Sequence, residues 1–368
     1  MVIQFVHYDA TTGKCVPVGN VDDSPYFRFG RSFAGLGTWD LRLPISSANA
    51  KRIRGANMIK VGSRRAGIIT SRQLEDTKDY YGITYSGTEL KGLAAKRIVL
   101  PPSGSAYQSH HNQAAEYVIE QLLRQQITEA VDTKRRILGT IGAYSASSNL
   151  ITYDGRFGAL VEDITAITEA YSIGWYAEIA DRAIVWRIYH GVDRRVSSAA
   201  AGTLLLAGSR DNIGNRVLAE MRNVPNTAIT AGQGEGVDRA ISIVGDSNTG
   251  LDRNEIFVDA RDVSDTAELT TRGDETLAQQ SDTAVYSFTL QTSAVKDYFN
   301  GVFDLGDQCT VRDTEFLPGE DIEGRFAEAE EVFDDGVLMV NATIGYDKRN
   351  LAAAISRIRR STNSLLMT

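Results

Sequence analysis

Histidine and acidic side chains stand close together at one point in the chain, where a metal ion could bind. The stretch HHNQAAE places His110 and His111 just before a helical pattern, with Glu116 one turn inside it. A zinc helix of the HExxH type needs two histidines four residues apart on one face, whereas adjacent residues point about 100° apart. The spacing therefore predicts a capped, solvated helix start and no metal site.

Two further stretches resemble loops that bind an ion or a phosphate group. DSNTGLDRNE (246–255) begins like a calcium loop, but Phe257 stands where such a loop has its bidentate glutamate. AGQGEG (231–236) has neither the GxGxxG spacing nor the following helix of a phosphate-binding loop. Both stretches are predicted to be ordinary turns and loops.

Paired acids and nucleophiles form no catalytic pattern either. The carboxylates of GEDIEGRFAEAEEVFDD (319–335) could supply a general acid pair, but their alternation predicts the solvated face of a hairpin. No GxSxG motif is present, and Cys15 and Cys309 are predicted to be small buried residues, with a single disulfide as the lesser alternative. We therefore expect no catalytic, cofactor-binding or metal-binding residue and no cofactor, as in a scaffold protein that is not an enzyme.

The composition is that of a folded, acidic protein. Its 368 residues carry a net charge of −8 with a pI near 5.2, which argues against a specific nucleic-acid-binding surface. The same negative charge would keep DNA from sticking to a surface that it slides past. The sequence contains no apolar run of 18 residues and no signal peptide, so we expect no membrane span and folding in the reducing cytoplasm.

The elements that must position these residues begin with strands. Residues 1–102 are predicted to form a first small β-barrel, with short strands separated by glycine-rich turns. In GLGTWDLRLP (35–44), the apolar residues Trp39, Leu41 and Leu43 alternate with charged ones, which is typical of a half-buried strand.

Helical spacing appears in the next part, residues 103–195, which is predicted to be an α+β domain. One amphipathic helix is expected between Asn112 and Ala130, and a second follows Asp154. The stretch GWYAEIADRAIVWRIYHGVDR (174–194) predicts a hairpin with its turn near Asp181–Arg182. Its two tryptophans, Trp175 and Trp186, are expected to lie in the core.

The remaining chain is predicted to contain a second α+β or connecting domain (196–280), a second β-barrel (281–350) and a C-terminal tail (351–368) that is helical and basic. A weakly amphipathic helix is expected from Thr266 to Gln280, interrupted by Gly273. The second barrel would hold an acidic hairpin with Asp335–Gly336 as its turn. The fold class predicted for the whole chain is α+β, mainly β.

Six segments, in order along about 320 residues, resemble those of one known family. The N-terminal ones are FAGLGTWDLRLP, ITYSGTELKGLAAKRIVLPP, and YDGRFGALVEDITAITEAYSIGWYAEI followed by YHGVDR. The C-terminal ones are LDRNEIFVDARDVSD with the helix of Leu269, Gly273 and Leu277, then FDLGDQCTVRD, then RFAEAEEVFDDG. Together they resemble the tail-tip hub proteins of non-contractile phages, which are related to the hub region of tail-associated lysins and to contractile-phage baseplate hubs. Gln308–Cys309 departs from the two apolar residues expected after the Gly-Asp pair.

This resemblance implies a structural protein of the virion tail tip. It implies two barrels per chain and a homotrimer that sets six barrels in a ring, with Trp39 pointing inwards and Asp40 and Arg42 towards solvent or a neighbour. The implied partners are the distal tail protein, the tape-measure protein, and tail fibre or receptor-binding proteins. The ring would line the DNA ejection channel.

Three alternatives remain open from the sequence. One is a tail-associated cell-wall hydrolase, and another is a hub of a contractile tail or injection device. The third is a carbohydrate-binding β protein, for which Trp175 and Trp186 would form an exposed aromatic platform.

Overall fold

The computed structural model describes residues 2–345 apart from 48–52, 63, 78–79, 149, 199–201, 222–224, 246, 262, 279–282, 316–317 and 320. The protein is mainly β, with 46% strand and 21% helix, as the sequence predicts. Its described residues divide into two compact units, unit 1 (residues 2–216 with Ser287–Ile344) and unit 2 (Val217–Tyr286). The predicted basic tail and the predicted helix end at Gln280 lie outside the described residues.

The strands, numbered in chain order, are β1 (Ile3–Tyr8), β2 (Cys15–Val21), β3 (Tyr26–Ser32), β4 (Thr38–Pro44), β5 (Met58–Val61), β6 (Arg65–Asp76), β7 (Tyr81–Glu89), β8 (Gln108–Ala114), β9 (Gly139–Ile141), β10 (Leu150–Gly155), β11 (Gly174–Ala180), β12 (Ala183–Tyr189), β13 (Leu205–Ala207), β14 (Ile213–Met221), β15 (Thr227–Ala231), β16 (Ile241–Val244), β17 (Glu255–Asp259), β18 (Thr283–Leu290), β19 (Gln308–Arg312), β20 (Asp321–Asp334) and β21 (Val337–Gly345).

The α-helices are α1 (Ala115–Leu123), α2 (Leu160–Tyr171), α3 (Thr266–Ala278) and α4 (Thr292–Phe299). A 3₁₀ helix covers Leu90–Lys96, and its Leu90, Leu93 and Ala94 are buried. The helix α4 is not predicted, although Ala294 and Tyr298, four residues apart, form its buried face. Within the described parts of the chain, no helix is long and apolar enough to cross a membrane.

One 13-stranded sheet runs through unit 1, in the order β14-β18-β21-β20-β3-β4-β7-β6-β5-β1-β2, with β19 pairing with β20 and β13 with β19. The antiparallel pair β20–β3, from Glu328 opposite Ser32 to Asp334 opposite Tyr26, joins the two strand-rich regions of the sequence. Among the described strands the pairings do not close a barrel, so the two-barrel organisation stays a prediction.

The strand β4 follows the predicted alternation. Trp39, Leu41 and Leu43 are fully buried in the core of the first strand-rich region, so the predicted burial of Trp39 is confirmed. On the other face, Asp40 is half-buried and pairs with Arg28. Arg42 is exposed, with its guanidinium 5.1 Å from the centre of the Tyr26 ring.

The middle of unit 1 packs α1 and α2 against the hairpin β11–β12 in a second core. Trp175 and Trp186 lie stacked with ring centres 6.2 Å apart and are 1% and 0% exposed. Their predicted place in the core is confirmed, so these two tryptophans form no exposed aromatic platform of the kind that the carbohydrate-binding alternative requires. The hairpin turns at Asp181–Arg182, both with left-handed φ angles of 47° and 61°, as the predicted two-residue turn requires.

Unit 2 contains the sheet β16-β15-β17 with α3 packed on one face. The predicted interruption at Gly273 is wrong, because α3 continues through this residue. A Cβ at Gly273 would overlap Val244 and Thr230, so the glycine lets the helix approach the sheet closely. Its role is close packing and not a helix break.

Candidate functional site

The histidines that could have bound a metal lie in a strand. His110 and His111 belong to β8, and α1 begins only at Ala115, without a side-chain cap. The prediction of a capped helix start is therefore wrong. Residues 108–114 form a strand that pairs with β10, so the backbone before the helix bonds to a neighbouring strand. His111 Nε2 lies 2.9 Å from Asp154 Oδ1, whereas His110 contacts Gln108.

Glu116, the acid of the HHNQAAE stretch, has a separate partner. Glu116 is fully buried, and its Oε1 lies 2.7 Å from Nε2 of His190. His110, His111 and Glu116 are thus not brought together. In the described residues, no group of three or more His, Cys, Asp or Glu side chains is arranged to hold a metal ion.

The two loop stretches and the cysteines lie as predicted. Gly234 and Gly236 have left-handed φ angles in the 231–236 loop. Asn248 donates to the Gly245 carbonyl in a turn of the 246–255 stretch, of which residue 246 lies outside the described residues. Cys15 and Cys309 are both buried and free, and burial raises the pKa of both thiols, that of Cys15 to about 11.

The acidic hairpin β20–β21 has a predicted turn and an unpredicted buried acid. Its turn is Asp335–Gly336, with φ angles of 43° and 87°, so that prediction is confirmed. The prediction that its carboxylates form a solvated face is wrong for Glu331, which is 4% exposed. Arg65 Nε lies 2.6 Å from Glu331 Oε2, and this ion pair satisfies the buried charge.

Glu331 belongs to a charged cluster made of Arg31, Arg65, Tyr298, Asp304 and Glu331. Arg31, on β3 and 7% exposed, donates from Nη1 to Tyr298 Oη at 2.8 Å and to Asp304 Oδ1 at 2.9 Å. The Tyr298 hydroxyl donates to Glu331 Oε1 at 2.9 Å. The cluster therefore links the first strands to α4, to β20 and to the loop before β19.

The charges in this cluster hold one another ionised. Burial would raise the pKa of Asp304, but Arg31 and Arg64 outweigh burial and keep that pKa below its ordinary value of 3.8. Burial would lower the pKa of Arg31, but Tyr298, Asp304 and Glu331 raise this pKa by more than burial lowers it. Burial raises the pKa of the Tyr298 hydroxyl, so this group stays a hydrogen-bond donor.

A second set of contacts, the motif junction, brings together four of the sequence segments that carry the family resemblance. It is made of Phe33, Glu89, Lys91, Gly191 and Asp307, with Gly306 beside them. The Phe33 ring lies 5.6 Å from the Tyr189 ring, and a Cβ at Gly306 would overlap Phe33. A Cβ at Gly191 would overlap the Gly306 carbonyl. These glycines are required because the segments approach at backbone distance.

Charged side chains complete the motif junction. Asp307, 5% exposed, accepts hydrogen bonds from the Val192 amide and from Arg194 Nε, both at 2.8 Å. This carboxylate ties the FDLGDQCTVRD segment to YHGVDR.

Lys91 is fully buried and donates from Nζ to the carbonyls of Ser32 at 2.5 Å and Trp175 at 3.1 Å. Burial lowers the pKa of its amine, although Glu89 beside it counteracts the shift. The Glu89 carboxylate accepts from the Gly37 amide at 2.8 Å. The ELKG stretch thereby fastens the FAGLG turn to the central hairpin.

Sequence reasoning finds the motif junction only as a set of separate segments and misses the charged cluster. Arg31 and Tyr298 stand in stretches without a motif, and Tyr298 lies on the unpredicted helix α4. Asp304 lies in the FDLGDQCTVRD segment, where no pattern distinguishes it as a partner of a buried cation. One feature of the sequence could have indicated the cluster. Glu331 alternates with Ala327 and Ala329 on the buried face of β20, and an acid at a core-facing strand position needs a cationic partner.

Comparisons with known proteins find a phage protein family and solved structures of tail proteins. The sequence matches a family model described as Siphovirus ReqiPepy6 Gp37-like protein over residues 12–346. No curated protein matches the sequence.

Among solved structures, a tail protein from Neisseria meningitidis MC58 is similar, with 16% identity, 95% of this chain and 97% of that chain covered, and a TM-score of 0.56. The 43 kDa tail protein of prophage MuSo2 from Shewanella oneidensis shows 13% identity, coverage of 93% and 97%, and a TM-score of 0.56. Prophage tail protein gp18 from Listeria monocytogenes EGD-e shows 9% identity, 98% coverage of both chains and a TM-score of 0.52. At these identities the similarity shows a shared fold.

Proposed function

The chain belongs to the siphovirus Gp37-like protein family and has the fold of phage tail proteins, and on this premise we propose that it is a structural protein of the virion, the hub of the tail tip. Three copies form a ring in which each chain supplies two similar barrels. The six barrels face the six subunits of the tail tube, while the three chains match the threefold tip. Symmetric closure of this kind also protects strand edges.

The observation that carries this proposal is the link between the two strand-rich regions. The β20–β3 pairing and the charged cluster hold them in one sheet, and an adaptor needs its two positions at a fixed spacing. We propose that these regions act as tube-like barrel domains (1–102 and 281–350), with α+β domains (103–195 and 196–280) between them.

The proposed partners are two further copies of the chain, the distal tail protein, the tape-measure protein, and fibre or receptor-binding proteins. The ring would line the DNA ejection channel, and three chains of −8 each would repel the passing DNA. Lysines introduced in place of acids that face the channel should slow DNA ejection, and an unchanged ejection rate would contradict the lining role.

Electron microscopy of the tail tip, or of the purified protein with its distal tail partner, tests the proposal. Images classified without imposed symmetry should show a threefold ring with a central channel and six similar barrels. A compact monomer or dimer that forms no ring with the partner would refute it. A zymogram on host cell walls tests the hydrolase alternative separately.

A further inference from the structure

A basic pocket lies on unit 1, away from the charged cluster and the motif junction. Its volume is about 370 Å³, within the range of roughly 300–1,000 Å³ that is usual for small-ligand sites. Four cationic side chains line it, Lys96, Arg97, Lys134 and Arg135. The other described lining residues are two alanines and an isoleucine, so no carboxylate faces the pocket. This group of four cations contrasts with the net charge of −8 of the whole protein.

The two arginines are held by backbone carbonyls and not by acids. Arg97 donates from Nε and Nη2 to the Arg135 carbonyl at 2.9 and 2.6 Å, and from Nη1 to the Lys96 carbonyl at 2.9 Å. Arg135 donates from Nη2 to the Ile98 carbonyl at 2.7 Å. These bonds fix both guanidinium groups without neutralising them, and each group keeps further N–H donors for a ligand.

Arg97 and Arg135 repel each other in this arrangement. Burial, and then the charge of Arg135, lower the pKa of Arg97, and burial lowers that of Arg135. An arginine nevertheless stays protonated at neutral pH. Asp132, whose charge acts on Arg135 and raises its pKa in opposition to burial, accepts a hydrogen bond from the Lys134 amide at 3.0 Å and stands outside the pocket lining. A bound anion would relieve the repulsion.

We propose that this pocket binds an oxyanion of the phosphate class. The planar forks of Arg97 and Arg135 match the geometry of phosphate oxygens, and the exposed amines of Lys96 and Lys134 add point charges at the rim. The same chemistry could be supplied by a free phosphate ion or by the phosphate headgroup of a lipid. This inference stands apart from the proposed hub function, because the ring images report nothing on anion binding.

Titration calorimetry of the whole protein with sodium phosphate, in a buffer free of other multivalent anions, tests the site. The double variant Lys96→Gln/Lys134→Gln removes two exposed charges and no described hydrogen bond. Its affinity for phosphate should fall by on the order of tenfold, because each lost cation weakens an attraction at close range. The matched control is Lys14→Gln/Lys296→Gln, which removes two exposed lysines outside the pocket and should keep the affinity of the unchanged protein.

Vesicle flotation distinguishes the two sources. Protein that floats with phosphatidylglycerol vesicles but not with phosphatidylcholine vesicles, and loses this in the Lys96→Gln/Lys134→Gln variant, assigns a lipid headgroup. Phosphate binding without flotation assigns a free ion. The proposal is overturned if neither probe binds, or if the pocket variant and the control variant bind equally well.

Discussion

At the scale of single residues, the protein places ionisable groups where a folded chain normally buries apolar ones. Arg31, Lys91 and Glu331 are all less than a tenth exposed, and each has a charged or carbonyl partner. Desolvation makes such groups expensive unless every one is paired. Removing one partner therefore costs more than the pair itself contributes.

We expect Arg31→Met to destabilise unit 1 by about 3–5 kcal/mol, because it removes the most deeply buried cation of the cluster and leaves Asp304 with only the more exposed Arg64. Tryptophan fluorescence in urea measures this, since all three tryptophans are buried in unit 1. The control is Arg312→Met, which breaks an exposed ion pair with Asp321 and should cost less than about 1 kcal/mol. Equal costs for the two variants would contradict a buried cluster.

The pH dependence of stability reports on Asp304. Its pKa in the folded protein is lowered below 3.8, so its ionised form stabilises the fold at neutral pH, and this contribution is lost as the pH falls below about 3.8 through the folded value. The difference in unfolding free energy between the natural protein and Asp304→Asn should be constant from pH 7 to pH 5 and shrink below about pH 4. Asp297→Asn, an exposed change on α4, is the control. A difference that persists undiminished at pH 3 would argue against the ionised cluster.

At the scale of elements, local patterns predicted much of the structure. The alternation around Trp39 predicted β4, and the amphipathic pattern after Asp154 predicted α2, because one buried face imposes a period on the sequence. The turns at Asp181–Arg182 and Asp335–Gly336 were also predictable.

The elements that were missed depend on tertiary contacts. The strand β8 is polar, with His110 and His111 in it, and it exists through its pairing with β10. The helix α4 is only eight residues long, and an isolated helix of that length is marginal. The role of Gly273 needs knowledge of the sheet beneath α3.

The turn before β19 offers a test of the motif junction. Gly306 has a φ angle of 93° and lies against the Phe33 ring, whereas Gly301 has a φ angle of 72° with open space around it. Gly306→Ala should cost backbone strain of about 1–2 kcal/mol and roughly 1–3 kcal/mol more for displacing Phe33, whereas Gly301→Ala should cost the strain alone. Urea unfolding followed by tryptophan fluorescence compares them, and equal losses would mean that the ring is free to move aside.

At the scale of the whole molecule, unit 1 joins chain segments that are far apart in sequence. Arg28 and Glu330, 302 positions apart, form an ion pair on the β3–β20 strands at 2.8 Å. The order of strand-rich, mixed and strand-rich regions could be predicted from composition and periodicity. The register that joins the first and last regions could not, because strand pairing at such separation depends on the complete core.

This long-range link gives the last prediction. If the link keeps the two strand-rich regions at the spacing that a ring requires, then loosening it should impair tail assembly beyond its effect on stability. Phage carrying Arg31→Met should therefore yield fewer infectious particles than phage carrying Leu122→Ala, a change in the buried face of α1 with a similar expected cost of roughly 2–5 kcal/mol. The comparison counts plaques and tail-bound protein at a temperature where both variants stay folded. Equal yields would mean that the link contributes stability alone, and that the spacing is set by neighbouring proteins in the tail.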